Sequence, residues 1–288
     1  MSAELFPSKR LATLRTQSPI ATILIDTEED FDWTRPVEGT MQSTEYLSHI
    51  PDLQHVLGAY GIQPTYLLTY PVLMDRNIVR ILQRGIERGQ CAVGLQLHPW
   101  VTPPFAGQST LRMSFGGNLI PEIEERKLAT LIARFIDCFG MPPRIFRAGR
   151  YGIGPNTPRL LEAFGFTIDT SVAPRTSMVH EGGPDYSEDD FFPFWFGMQR
   201  DILELPLCRS VVGWGGTLGA ALYRFLAGPE TPRRALAALL ASSECAERIT
   251  LSPEGNDVRA MRRLVRRLRA RGQQIFPISF HSSSLWPG

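Results

Sequence analysis

The strongest constraint on this chain is an alternation: short apolar runs of four to eight residues, each followed by a stretch of helical periodicity. The runs are "IATILID" (20–26), "PTYLLTY" (64–70), "CAVGLQLH" (91–98), "RIFRA" (144–148), "FTIDT" (166–170), "ILELPL" (202–207), "ITLS" (249–252) and "IFPISFH" (275–281). Helical patterns fall at about 44–60, 75–88, 121–139, 155–164, 231–247 and 256–270, with glycines such as Gly61, Gly140 and Gly272 near their ends. Strands separated by helices of this length return to one sheet through right-handed crossovers, so the sheet is parallel. The expected fold is α/β, a distorted (β/α) barrel of seven to eight parallel strands, with an open doubly wound sheet as the competing architecture.

What ends the strands favours the barrel. Asp26 and Glu28, His98, Arg147, Asp169, Glu204, Glu254 and His281 all fall at or just past a C-terminal strand end. Any strand must stop at something polar, so each residue alone says little. Carboxylates, imidazoles and an arginine recurring on strand after strand match the rim where barrels assemble chemistry.

No repeat or polar linker divides the 288 residues, and 43% hydrophobic content suffices for one large core. The expected organisation is an N-terminal arm over residues 1–19 and a single domain over 20–288. A net charge of +1 gives no global reason to expect nucleic acid or an anionic membrane surface. Cys91, Cys138, Cys208 and Cys245 lack metal-site spacing and read as reduced, the N-terminus lacks an apolar leader, and no run is long enough to span a membrane. A cytoplasmic protein is expected. Missing too are a GxSxG elbow, a P-loop and a GxGxxG fingerprint, which disfavours serine hydrolases and nucleotide enzymes.

Four stretches carry the candidate chemistry. "LIDTEEDFDW" (24–33) sets Asp26, Glu28, Glu29 and Asp30 after an apolar strand, either a base with a cation ligand or a solvated acidic turn. "GLQLHPWVTPP" (94–104) ends a strand in His98, with Gln96 two residues earlier and Trp100 in a stiff loop of the kind that lines pockets. "FRAGRYG" (146–152) offers Arg147, Arg150 and Tyr151 to an oxyanion, sugar hydroxyls or a neighbouring carboxylate, with two glycines that permit close backbone approach. "SFHSSS" (279–284) places His281 as a general acid. The phenylalanine-rich "DDFFPFWFGM" (189–198) reads as packing, with sugar stacking as the alternative.

With "DTSVAP", "LELPL" and "LSPEG", these stretches give seven ordered motifs from about Ile20 to the C-terminus, and the chain resembles the polysaccharide deacetylase, or NodB-homology, superfamily. It is most similar to the WalW-like branch associated with bacterial cell-surface polysaccharide or lipopolysaccharide genes. The resemblance implies a distorted (β/α) barrel that removes N-acetyl groups from an amino sugar of a surface polysaccharide or its precursor. It implies Asp26 as base, Arg147 as the group orienting it, His281 as acid, and Asp169 at the fourth-motif acid. Trp100, Arg150, Tyr151 and Asp169 are the expected substrate contacts, and Glu28, His98 and Asp26 the expected ligands of a divalent metal, zinc first.

The chain departs from the family where two histidines normally hold the metal: Gln96 falls at the first and Trp100 at the second, with His98 between them. Gln96 is a weak donor where a catalytic zinc takes three firm ligands. Two other readings therefore stay open, a metal-free carbohydrate-binding relative and an amidohydrolase on a small non-sugar amide. Relatives generally continue past "SLWPG", so either barrel closure or an assembly contact is expected to differ here.

Overall fold

Strands buried on both faces along most of their length build the sheet. In a computed structural model that describes residues 5–13, 18–30, 43–105, 110–199, 201–226 and 231–286, nine strands hydrogen-bond side by side. Their order is β1 (Arg10–Leu11), β7 (Phe194–Phe196), β8 (Ile202–Glu204), β6 (Ile168–Asp169), β5 (Ile145–Ala148), β4 (Ala92–Leu97), β3 (Thr65–Leu68), β2 (Ile20–Thr27) and β11 (Ile275–His281). The seven from β8 to β11 run parallel, while β7 and β1 add to one edge antiparallel. The curled sheet and its helices form a distorted (β/α) barrel with seven parallel strands. Residues 31–33 of the first motif lie outside the described residues.

The helices are α1 (Ile50–Gly58), α2 (Tyr70–Met74), α3 (Arg76–Glu87), α4 (Pro121–Phe139), α5 (Thr157–Ala163), α6 (Gly216–Leu226), α7 (Thr231–Ser242) and α8 (Val258–Ala270). Local chemistry sets their ends. The Asp75 carboxylate accepts the first free N–H groups of α3 from Asn77 and Ile78. Pro121 opens α4, and Gly140 closes it in the left-handed conformation at φ 68°.

One parity of the strands packs outward on this layer: Ile23, Ile25, Tyr66, Leu68, Val93, Leu95 and Phe146 share a core with Leu82 of α3 and with Leu131 and Phe135 of α4. The opposite parity, including Asp26, Gln96 and Arg147, faces the barrel interior, where all three are buried. The fold thus separates an apolar outer core from a polar lumen along the same strands.

One segment departs from the sequence expectation, and the N-terminal arm makes a contact the sequence did not specify. "ITLS" supplies no barrel strand: Glu247–Thr250 forms β10, which pairs antiparallel with β9 (Arg209–Val212) in a separate ribbon. That ribbon is hooked to β11 by the bond from Ser279 N–H to the Leu251 carbonyl. The N-terminal arm joins the sheet through β1, and Phe6, 1% exposed, packs edge-on against Phe194 and Phe196.

Candidate active site

Strand register brings the predicted residues together. β11 aligns His281 with Asp26 on β2, and β4 aligns Gln96 with Arg147 on β5. Glu28 and Glu29 follow directly as β2 ends, and His98 follows β4. Ordinary parallel pairing therefore converges residues from four distant motifs on one rim.

Asp26 and His281 face each other with the His281 Nε2 to Asp26 Oδ2 distance at 3.8 Å. The other Asp26 oxygen accepts from Arg147 Nη1 at 2.5 Å. Arg147, fully buried, also donates to Ser279 Oγ at 2.7 Å and to the Thr170 hydroxyl at 2.9 Å, so its position is fixed from three sides. His281 is oriented by Glu254, whose oxygens lie 2.8 Å from its Nδ1 and accept its backbone N–H at 2.8 Å. Burial alone would push the imidazole down, but the Glu254 hydrogen bond and the charges of Asp26 and Glu28 bring it up to about 9. At neutral pH it is a protonated acid with Nε2 directed at the base.

The second cluster centres on His98, 2% exposed. Its Nδ1 lies 3.0 Å from Glu29 and its Nε2 3.3 Å from Glu28, while Trp100 stacks on the ring at 4.2 Å between centroids. Thr69 holds the other Glu29 oxygen at 2.8 Å. Burial lifts Glu28 to about 7; it would lower His98, yet Glu29, Glu28 and Asp26 together raise it. Behind the loop, Lys127 donates to the Pro99, Thr102 and Pro104 carbonyls and clamps the segment that carries Trp100.

The donor set does not match a catalytic zinc. Among the described residues no group of three or more histidine, cysteine, aspartate or glutamate side chains is arranged to hold an ion. Glu28 Oε2 and His98 Nε2 are two firm donors; the third is the neutral Gln96 Oε1, buried without a hydrogen-bond partner. Asp26, expected as a further ligand, forms no such ion-holding group with Glu28 and His98 among the described residues, and its two oxygens face Arg147 and His281.

Gly149–Tyr151 turns sharply: Arg150 and Tyr151 both sit at positive φ, 54° and 57°, an unfavourable conformation for residues with a Cβ. The flanking glycines make room for protein rather than for ligand. A Cβ on Gly149 would lie 2.4 Å from His98 Cδ2, and one on Gly152 would lie 2.7 Å from Phe115 Cα. Arg150 pairs with Glu181 and donates to Ser114. Tyr151 lines the cavity, and its hydroxyl has no hydrogen-bond partner among the described residues.

Two expected substrate contacts lie elsewhere. Trp100 is only 2% exposed and is spent on packing against His98. Asp169 is buried below the rim beside Glu204, with which register aligns it. Burial lifts Asp169 to about 6, and burial with the neighbouring Asp169 charge lifts Glu204 well above the usual carboxylate range. Conversely, sequence reasoning gave no role to Glu254 or Glu29, although it noted both: one in the "LSPEG" strand end, the other in the acidic run.

A cavity of about 430 Å³ opens onto this rim, lined by Asp26, Glu28, His98, Tyr151, Arg209 and His281 among others. A smaller one of about 110 Å³ shares Asp26, Tyr151, Arg209 and His281 with it. The larger is of the size of small-molecule sites.

No family model and no curated protein matches the chain. Solved structures do. A Mycobacterium smegmatis protein assigned as a polysaccharide deacetylase superposes with a TM-score of 0.53 at 14% identity, over 99% of this chain and 84% of that one. The allantoinase Puue (TM-score 0.46, 14% identity, 91% and 88% covered) and a Pseudomonas aeruginosa protein also assigned as a polysaccharide deacetylase (0.46, 13%, 91% and 78%) are similar at greater distance. At 14% identity the likeness to the Mycobacterium smegmatis protein is one of fold alone: the chain has a distorted (β/α) barrel of the kind seen in that protein.

Proposed function

We propose that the chain hydrolyses a carbon–nitrogen amide bond, the N-acetyl group of an amino sugar belonging to a cell-surface polysaccharide or its precursor. One observation carries this reading: a carboxylate fixed by an arginine and a histidine fixed by a glutamate face each other at 3.8 Å on the wall of one cavity. Asp26 takes a proton from water as its oxygen bonds to the acyl carbon. His281 Nε2 then protonates the amide nitrogen as the C–N bond breaks, giving acetate and the free amine. The Tyr151 hydroxyl, kept protonated by burial, is the available donor to the oxyanion formed in between. Glu28 and His98 line the cavity, and buried Glu29 holds His98 Nδ1. All four cysteines are free, which suits a reducing compartment, so we place the reaction in the cytoplasm, on a precursor.

The test is acetate release from N-acetylated sugar nucleotides, oligosaccharides and small ureides, with and without added zinc. Asp26→Asn and His281→Gln should each lower the rate roughly 10²-fold or more. Unchanged turnover in the double variant would sink the assignment. Tight sugar binding without release by the wild type would point instead to the carbohydrate-binding relative.

A further inference from the structure

Arg209 stands apart from the other cations of the site. Arg147 pairs with Asp26 and Arg150 with Glu181, but Arg209 pairs with no carboxylate among the described residues. Its Nε donates to Thr250 Oγ1 at 2.8 Å and its Nη1 to Thr176 Oγ1 at 2.5 Å, two neutral hydroxyls that fix the guanidinium without neutralising it. Arg248 occupies the same face of the β9–β10 ribbon and adds a like charge. Burial lowers Arg209 accordingly. Arg209 is half-buried, and a guanidinium partly withdrawn from water without an ion-pair partner is held at a cost, here on the wall of both cavities beside Tyr151 and His281, with Asp26 and Glu254 on the same smaller cavity.

The geometry points to Arg209 as a specificity residue that pairs with an anionic oxygen group, a carboxylate or a phosphate, carried by the substrate beside its amide. The small cavity, about 110 Å³, holds a few waters or one such group. Threonine hydroxyls on Nε and Nη1 leave Nη2 as the free tine of the fork, which suits a charge-assisted bond to an incoming oxyanion. A fixed substituent fits better than the reacting acyl oxygen. Asp26 is engaged by Arg147 rather than by Arg209, and both Asp26 and Arg209 line the smaller cavity, so a group bound at Arg209 lies beside the chemistry at Asp26.

This rests on the amide-hydrolase reading, but its test does not need turnover. Binding of N-acetylglucosamine, its 1-phosphate and the corresponding N-acetylated uronic acid would be measured by calorimetry on wild type, Arg209→Gln and Arg209→Lys. Wild type should prefer one anionic sugar over the neutral one by roughly tenfold or more, and the better anion separates phosphate from carboxylate. Arg209→Gln should bring the ratio to about one, and Arg209→Lys should keep part of it. The ligand-free Arg209→Gln protein should melt no lower than wild type, since it loses an uncompensated charge. No anion preference in wild type, whether through equal binding or none, overturns the proposal, as does an Arg209→Gln variant that keeps the ratio. If the preference holds while no amide is cleaved, the hydrolase reading fails and the anion site stands.

Discussion

Glu254→Gln offers the most direct probe of the acid. The Glu254 carboxylate meets His281 twice and accepts from Ser284 at 2.7 Å, so the substitution removes a charge while leaving the side chain's shape. His281 is raised from 6.5 to about 9 against burial, by the Glu254 hydrogen bond first and then by Asp26, Glu28 and the Glu254 charge. With Asp26 and Glu28 intact, losing the Glu254 contribution should bring it down by roughly one pH unit. Because His281 must be protonated to act, the alkaline limb of kcat/KM should move from about 9 in wild type to about 8 in the variant. Stability follows the same sign. A pKa raised on folding contributes fully below about 6.5 and fades as the pH passes about 9. The whole rise would amount to ~3 kcal/mol, but the side chain is 40% exposed, and solvent screening leaves about 1 kcal/mol. Urea denaturation at pH 6 and pH 10 would show that slope in wild type and a shallower one in the variant. An alkaline limb that stays at 9 would refute His281 as the acid.

Three further outcomes follow from the geometry. Arg147→Met leaves Asp26 buried without its partner and should cost about 3–5 kcal/mol by denaturant titration, with Asp26→Asn in the same chain recovering part of the loss. Gln96→His places a third firm donor beside Glu28, 3.5 Å from the present amide nitrogen, and should raise the zinc retained after purification and the thermal shift on zinc addition, read against wild type. Gly149→Ala drives a methyl into His98 and the Leu97 carbonyl, at 2.4 and 2.5 Å, and should destabilise by about 1–3 kcal/mol in thermal denaturation.

What could be read from the sequence was whatever is local. Strand periodicity located β2, β4 and β11 to within a residue or two, and Pro121 with Gly140 bounded α4. Asp26, Arg147 and His281 were legible because a polar residue that ends an apolar strand marks the rim whichever strand it meets. Pairings across the sheet were not. Glu254 and His281 lie 27 positions apart, and only the hook of the β9–β10 ribbon onto β11 makes them neighbours. Helix α6 was hidden by Gly215, Gly216 and Gly219, which look like turn punctuation. Trp100 was misjudged because an aromatic residue in a proline-rich loop suits a pocket wall as well as it suits the packing behind one.

The short strand β1 has a bearing on how the molecule survives at high concentration. It covers the outer edge of β7, a Phe-Trp-Phe segment with no charge of its own, pairing Arg10 with Trp195 and Leu11 with Phe194. Pro7 and Ala12 extend the pairing through bonds with Gly197 and Pro193. Uncovered, that edge would offer unpaired amides and aromatic side chains as a template for another chain's strand. The new edge is two residues long and begins with a cation, too short and too charged to recruit a neighbour. The arm thus covers an aggregation-prone edge, and a chain shortened to begin at the first barrel strand should aggregate more readily than the full one, as light scattering would read.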